Sequence, residues 1–164
     1  MIATRLRAAL VAAAAAWVVL LVAAPFLASR PHASPLATVL ILGVYGIGSL
    51  VCHQLPERSY HLWTAQMPVC ARCAGIYVGA AVGAIAGAFR ARGGRPGSAP
   101  GRNTLRPGIV RLALALAVAP TLVTLAYEWS TGDMPSHAIR AAAGVPIGLV
   151  AAWLVVTAAE NRVN

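Results

Sequence analysis

The sequence predicts an all-α integral membrane protein, a small bundle of about five transmembrane helices with a Cys/His-containing interfacial loop. Three observations predict it. Of 164 residues, 59% are hydrophobic and only 10% charged, against roughly 25% charged in a soluble domain. Long uncharged runs recur along the chain, near the ~20 residues that a helix needs to cross a bilayer. Most of the arginines stand in the gaps between those runs, where cations set membrane orientation.

The runs are Ala8–Ala28, about Leu36–Cys52, Cys73–Phe89, about Ile109–Tyr127 and Ala141–Ala159. The first and last reach spanning length, and the middle three are short, so flanking arginines are expected to snorkel to the interface. The second is the candidate for a re-entrant segment. The first follows Arg5 and Arg7 like a signal peptide, but its apolar stretch exceeds the 7–15 residues of an h-region and no A-x-A site follows closely. It is read as a retained helix. The expected organisation is an N-terminal helix and short loop over residues 1–35, then a four-helix core over 36–164. That core carries a Cys-rich loop at 52–73 and an Arg-rich loop at 90–108.

The formal charge is +9, from thirteen arginines against four acids. No recognition motif accompanies it, so the expected partner is the lipid bilayer and not nucleic acid. The five arginines of 90–108 argue for a cytoplasmic loop. With five spans that would put the N-terminus outside, against the sense of Arg5 and Arg7. One expectation does not depend on the direction of insertion. If the third and fourth runs both span, the cysteine segment and the stretch Glu128–Arg140 share one face.

Gly75, Gly79, Gly83 and Gly87 recur every four residues along one side of the third run, and Gly144 and Gly148 repeat the device in the fifth. Such small-residue ridges let membrane helices approach closely. Their partner is either another helix of the chain or a second copy, as a homo-oligomer. Pro120 and Pro146 fall inside the fourth and fifth runs and remove backbone donors there.

All three cysteines, Cys52, Cys70 and Cys73, lie within 22 consecutive residues. Cys70-Ala-Arg-Cys73 is a C-x-x-C at the start of an apolar helix, where free N–H groups and the Arg72 cation favour thiolate. A metal reading takes Cys70 and Cys73 as a chelating pair and Cys52 as third ligand. His53, His61 or His137 would complete a zinc site. A redox reading makes Cys70 and Cys73 a dithiol–disulfide couple with Cys52 as resolving thiol. A structural reading has the thiols brace the fold. Haem attachment is set aside because Ala74 follows Cys73, and an all-cysteine iron–sulfur cluster because the chain has three cysteines.

Glu57 and Arg58 belong to the same segment, followed by Tyr60, Leu62 and Trp63 as an interfacial anchor. Arg72, Glu128 and Arg140 stand at span ends, where charges tend to be paired or functional. An Arg72–Glu128 or Arg140–Glu128 pair is expected, and these residues could hold a small ligand in a binding or transport module. Ser136 is a suitable N-cap for the fifth helix.

The motifs C-H-Q-x-P-E-R-S (Cys52–Ser59) and Q-x-P-V-C-A-R-C-A-G-I-Y-V-G (Gln66–Gly79) resemble the signature of a bacterial predicted-membrane-protein family, domain of unknown function 2085. The resemblance runs from about the second helix to the C-terminus. The family usually shows Asp-Gly where this chain has Tyr127-Glu128-Trp129. The resemblance implies a small helical bundle in the bacterial plasma (inner) membrane and no established activity, so it does not choose among the readings.

Overall fold

The computed structural model describes residues 2–92 and 107–161. Among them are five α-helices: α1 (Ile2–Ala28), α2 (Pro35–Val51), α3 (Ala71–Arg92), α4 (Pro107–Thr131) and α5 (His137–Asn161). Each apolar run is a helix. Most of the Arg-rich stretch at 90–108 lies outside the described residues. The fold is that of an all-α membrane protein. Segments of four helices are long and apolar enough to cross a bilayer, Thr4–Ala28, Ala71–Arg90, Pro107–Thr131 and His137–Ala159. Their outward faces carry exposed Val, Leu, Ile, Phe and Trp side chains, as suits a lipid environment.

The helices run past the limits of the uncharged runs. Arg72 lies in the first turn of α3, Glu128 in the last turn of α4 and Arg140 in the first turn of α5. They pair with one another, so the helices can carry them. Ser136 caps α5, its Oγ accepting from Ile139 N–H at 3.3 Å. Ser34 caps α2 in the same way with Pro35 as first helical residue.

The segment between α2 and α3 is more ordered than a loop. A single 3₁₀ turn (Pro56–Arg58) leads into an antiparallel hairpin of β1 (Ser59–Leu62) and β2 (Ala65–Cys70). Its two-residue turn, Trp63-Thr64, holds both residues at positive φ, 50° and 74°, as the commonest tight hairpin turns require. Neither residue is Gly, Asn or Asp, so the usual turn signal is missing from the sequence.

The hairpin packs along the C-terminal half of α1. Leu21 and Ala24 share one buried cluster with Val44, Cys52, Met67 and Val69, and Phe26 meets Trp63 edge to face at 5.1 Å. The end of α1 therefore lies at the cysteine end of the bundle. The link Ser29–Ser34 reaches at most about 24 Å when fully extended, less than the ~30 Å of a hydrocarbon core. So α2 begins at the cysteine end, and it finishes there, at Cys52. Its 17 residues make a helix of only about 25 Å. α1, α3, α4 and α5 thus hold the segments long and apolar enough to cross, and α2, the candidate re-entrant segment, is the shorter apolar helix.

Arg5 and Arg7 at the start of α1 lie at the same end of the bundle as Arg90 of α3 and Arg111 of α4.

The glycine ridge settles on α5 of the same chain. A Cβ on Gly75, Gly79 or Gly83 would overlap the carbonyl oxygen of Ala141, Val145 or Leu149. Reciprocally, a Cβ on Gly144 or Gly148 would overlap the carbonyls of Arg72 and Ile76. Gly87 faces the Val156 side chain. The ridge's partner is thus another helix of the same chain, α5.

Candidate functional site

The α3–α5 contact sets up the chemistry. Because Gly144 lets α5 press on the Arg72 carbonyl, Arg72 and Arg140 come to stand beside each other. Both reach Glu128 at the end of α4. Arg72 Nη2 donates to Glu128 Oε1 at 2.9 Å and to Thr124 Oγ1 at 3.1 Å. Arg140 Nε lies 3.3 Å from the same carboxylate oxygen. That contact is an ion pair without hydrogen-bond alignment, because Arg140 Nε makes no hydrogen bond. Arg58 Nη1 approaches Glu128 Oε2 more loosely, at 4.0 Å, from a side chain 40% exposed. Arg140 and Glu128 are buried, at 1% and 8% exposure. The cysteine segment and the stretch Glu128–Arg140 thus meet at one end of the bundle.

The three cysteines are free thiols whose sulfurs all lie within 4.8 Å of one another. Cys52 ends α2 in extended backbone, Cys70 ends β2 and Cys73 sits on the first turn of α3. The Cys70 N–H donates to Cys52 Sγ at 3.2 Å. The Cys73 thiol, hydrogen-bonded to Cys70, lowers the Cys70 pKa from 9.0 to about 5, with backbone N–H groups of Cys73 and Arg72 assisting against the opposing effect of burial.

Thiols and guanidiniums line one cleft of about 210 Å³. Its lining includes Cys52, Cys70 and Cys73 together with Arg58, Arg72 and Arg140. His53 also lines it and is exposed, but its ring nitrogens are not within the compact group that the sulfurs form. His61 is exposed on β1. His137 is engaged elsewhere: its ring lies 5.3 Å from that of Tyr60, and Nε2 stands 3.2 Å from the Glu57 carbonyl. A carbonyl only accepts, so that nitrogen donates. Glu57 contributes this carbonyl, and its side chain does not line the cleft.

Residues that sequence reasoning passed over hold the sulfurs together. Gln54, at φ 49°, donates from Nε2 to the carbonyls of Tyr45 (2.9 Å) and Pro68 (2.7 Å). Gln66 Nε2 donates to the Gln54 carbonyl, and the Tyr45 hydroxyl donates to the Gln66 carbonyl. These bonds tie the end of α2 to β2 and so place Cys52 beside Cys70. Gly48 permits the approach, since a Cβ there would overlap the Pro68 carbonyl. The available signal was a glutamine beside each half of the cysteine motif.

The fold and site define a class: a helical membrane protein with a thiol–guanidinium cleft at one end of the bundle. Residues 52–154 match the family described as a predicted membrane protein, domain of unknown function 2085. This is more than half of the chain, which belongs to that family. A 62-residue stretch, 38% of the chain, is 42% identical to an uncharacterized protein of Methanocaldococcus jannaschii and covers 40% of that protein. The chain thus matches about two fifths of that relative's length. That relative is archaeal, so the likeness is not confined to bacterial proteins. No solved structure matches.

Proposed function

We propose that the protein holds a soft transition metal, zinc first, on Cys52, Cys70 and Cys73, with a fourth coordination position open to the cleft. One observation carries this reading: three sulfurs from three different elements lie within 4.8 Å of one another. A zinc ion with bonds of about 2.3 Å to tetrahedral thiolates wants sulfurs about 3.8 Å apart, a distance that small side-chain rotations supply. Thiolate-only sets suit zinc and other soft ions. The Cys70 N–H on Cys52 Sγ is the kind of outer hydrogen bond that orients a metal ligand. Water or a ligand would take the fourth position, which is the arrangement of catalytic zinc sites. His53 stands at the mouth of the same cleft as the alternative fourth ligand.

The bilayer is the partner of the exposed apolar helix faces, and the membrane is a plasma membrane in this reading. The end carrying Arg5, Arg7, Arg90 and Arg111 faces the cytoplasm by the positive-inside rule. The cysteine cleft then opens on the other side. Three thiols on an oxidising side leave one without a disulfide partner, whereas one ion engages all three. Nucleic acid has no place in this reading.

A second reading is favoured by the exposure of Cys70 and Cys73 to an open cleft and by the acidity of Cys70. These suit a membrane thiol–disulfide oxidoreductase with Cys52 as the resolving thiol. Metal content and thiol count of the purified protein separate the two. A stoichiometric metal with three protected thiols supports the first reading, and a metal-free Cys70–Cys73 disulfide supports the second.

A further inference from the structure

Three guanidiniums of the cleft share one carboxylate, that of Glu128. Arg58, Arg72 and Arg140 bring three positive charges, and Glu128 returns one negative charge. Even a zinc ion with three thiolates, which carries a single negative charge, leaves the cleft positive. Arg140 is 1% exposed, and the side chain of Arg72 is 13% exposed. Uncompensated charge at such burial is costly.

The donors are also in excess. Each guanidinium offers five N–H groups. The acceptors they reach are Thr124 Oγ1, the two Glu128 oxygens and, at 4.0 Å, the Met134 sulfur. The buried Nε atoms of all three arginines make no hydrogen bond. An anion rich in acceptor oxygens would answer both the charge and the donors of these residues. Its size is bounded by the cleft, about 210 Å³, roughly the volume of seven water molecules.

We propose that the cleft binds a phosphate-class oxyanion through Arg58, Arg72 and Arg140, with Glu128 as the positioning residue that holds the guanidiniums in place. Free phosphate carries between one and two negative charges at neutral pH and a phosphodiester headgroup one, and each presents several acceptor oxygens, which arginine forks match in pairs. A simple carboxylate offers fewer acceptor oxygens. The phosphate reaches the cleft either free in solution or as a phospholipid headgroup, since the cleft opens at the end of the membrane bundle. This binding does not require the metal.

The test uses the full-length protein in a neutral detergent, with inorganic phosphate as probe and chloride at matched ionic strength as control. Thermal unfolding and titration calorimetry are the readouts. Phosphate should raise the unfolding temperature saturably and beyond chloride. Arg58→Gln, at a partly exposed position that folding tolerates, should weaken the affinity about tenfold or more, the size of one charge-assisted hydrogen bond. Arg72→Lys, which keeps the charge and loses the fork, should weaken it as well. In a parallel arm, phosphatidylglycerol is added to the micelles, with diacylglycerol, which has no phosphate, as control. Saturation by phosphatidylglycerol with phosphate alone silent assigns the headgroup as the source, and the reverse assigns free phosphate. No response to either probe, or equal responses in wild type and Arg58→Gln, would overturn the proposal. The Cys70→Ser/Cys73→Ser protein is titrated alongside. Binding retained there places the anion on the arginines. Binding lost there, with metal present in the wild type, places it on the metal and overturns this proposal while sparing the metal reading.

Discussion

Arg140 Nε stands 3.3 Å from Glu128 Oε1, and both residues are buried. Arg72 reaches the same oxygen at 2.9 Å. One carboxylate therefore ties the start of α3, the end of α4 and the start of α5. Glu128→Gln removes the charge and leaves two guanidiniums buried without it. A loss of about 3–5 kcal/mol is expected for breaking a buried pair from one side. Thermal unfolding in detergent should show a marked fall for this variant, and an unchanged transition would contradict the role of Glu128 as the tie.

The α3–α5 contact depends on absent side chains. Gly79→Ala and Gly148→Ala each place a methyl group against facing backbone, and overpacking of this kind costs about 1–3 kcal/mol. Gly43 and Gly46 in α2 have nothing within 4 Å of an added Cβ, and alanine there should not lower stability. Equal effects at the two pairs of sites would show that α3 and α5 are not packed through this ridge.

The proposed orientation predicts accessibility. In intact cells, a membrane-impermeant maleimide applied with a chelator should label the cleft cysteines from outside. A cysteine introduced at Arg111 of a cysteine-free variant should label only after the membrane is opened. The opposite pattern would invert the orientation.

The Cys70 thiol, held near 5 mainly by its hydrogen bond from Cys73, predicts a pH profile for the metal-free protein. Its pKa is lowered, so the thiolate is present above about pH 6 and is lost as pH falls through 5. Iodoacetamide should therefore modify Cys70 at a nearly constant rate from pH 6.5 to 8.5. An ordinary thiol of pKa about 8.5 speeds up nearly tenfold per pH unit below that value. Cys73→Ala should restore the ordinary slope, measured by mass spectrometry of the modified peptide.

Much of this architecture was legible because hydropathy is a local property. Each uncharged run became a helix, and the charges at span ends, Arg72, Glu128 and Arg140, announced their pairing through the cost of isolating them near lipid. The shortness of α2 was legible too, and it singled out the second run as the candidate re-entrant segment; where the end of α1 packs against the hairpin was not. The hairpin was hidden because Trp63 and Thr64 take positive φ without the residues that normally signal it. The locks made by Gln54, Gln66 and Tyr45 are long-range bonds to backbone, which side-chain type alone does not reveal. His53, adjacent to Cys52, lines the same cleft but stands outside the compact group of sulfurs, a distance that adjacency in sequence does not reveal.

Metal content per chain tests the central claim most directly. The protein would be purified in detergent without chelators and analysed by mass spectrometry beside Cys52→Ser, His53→Ala and Cys70→Ser/Cys73→Ser variants. About one zinc or other soft transition metal per chain is expected in the wild type and in His53→Ala, and none in the cysteine variants. Metal-free wild type, after zinc has been offered during purification, would contradict the account and leave the three gathered thiols to redox chemistry.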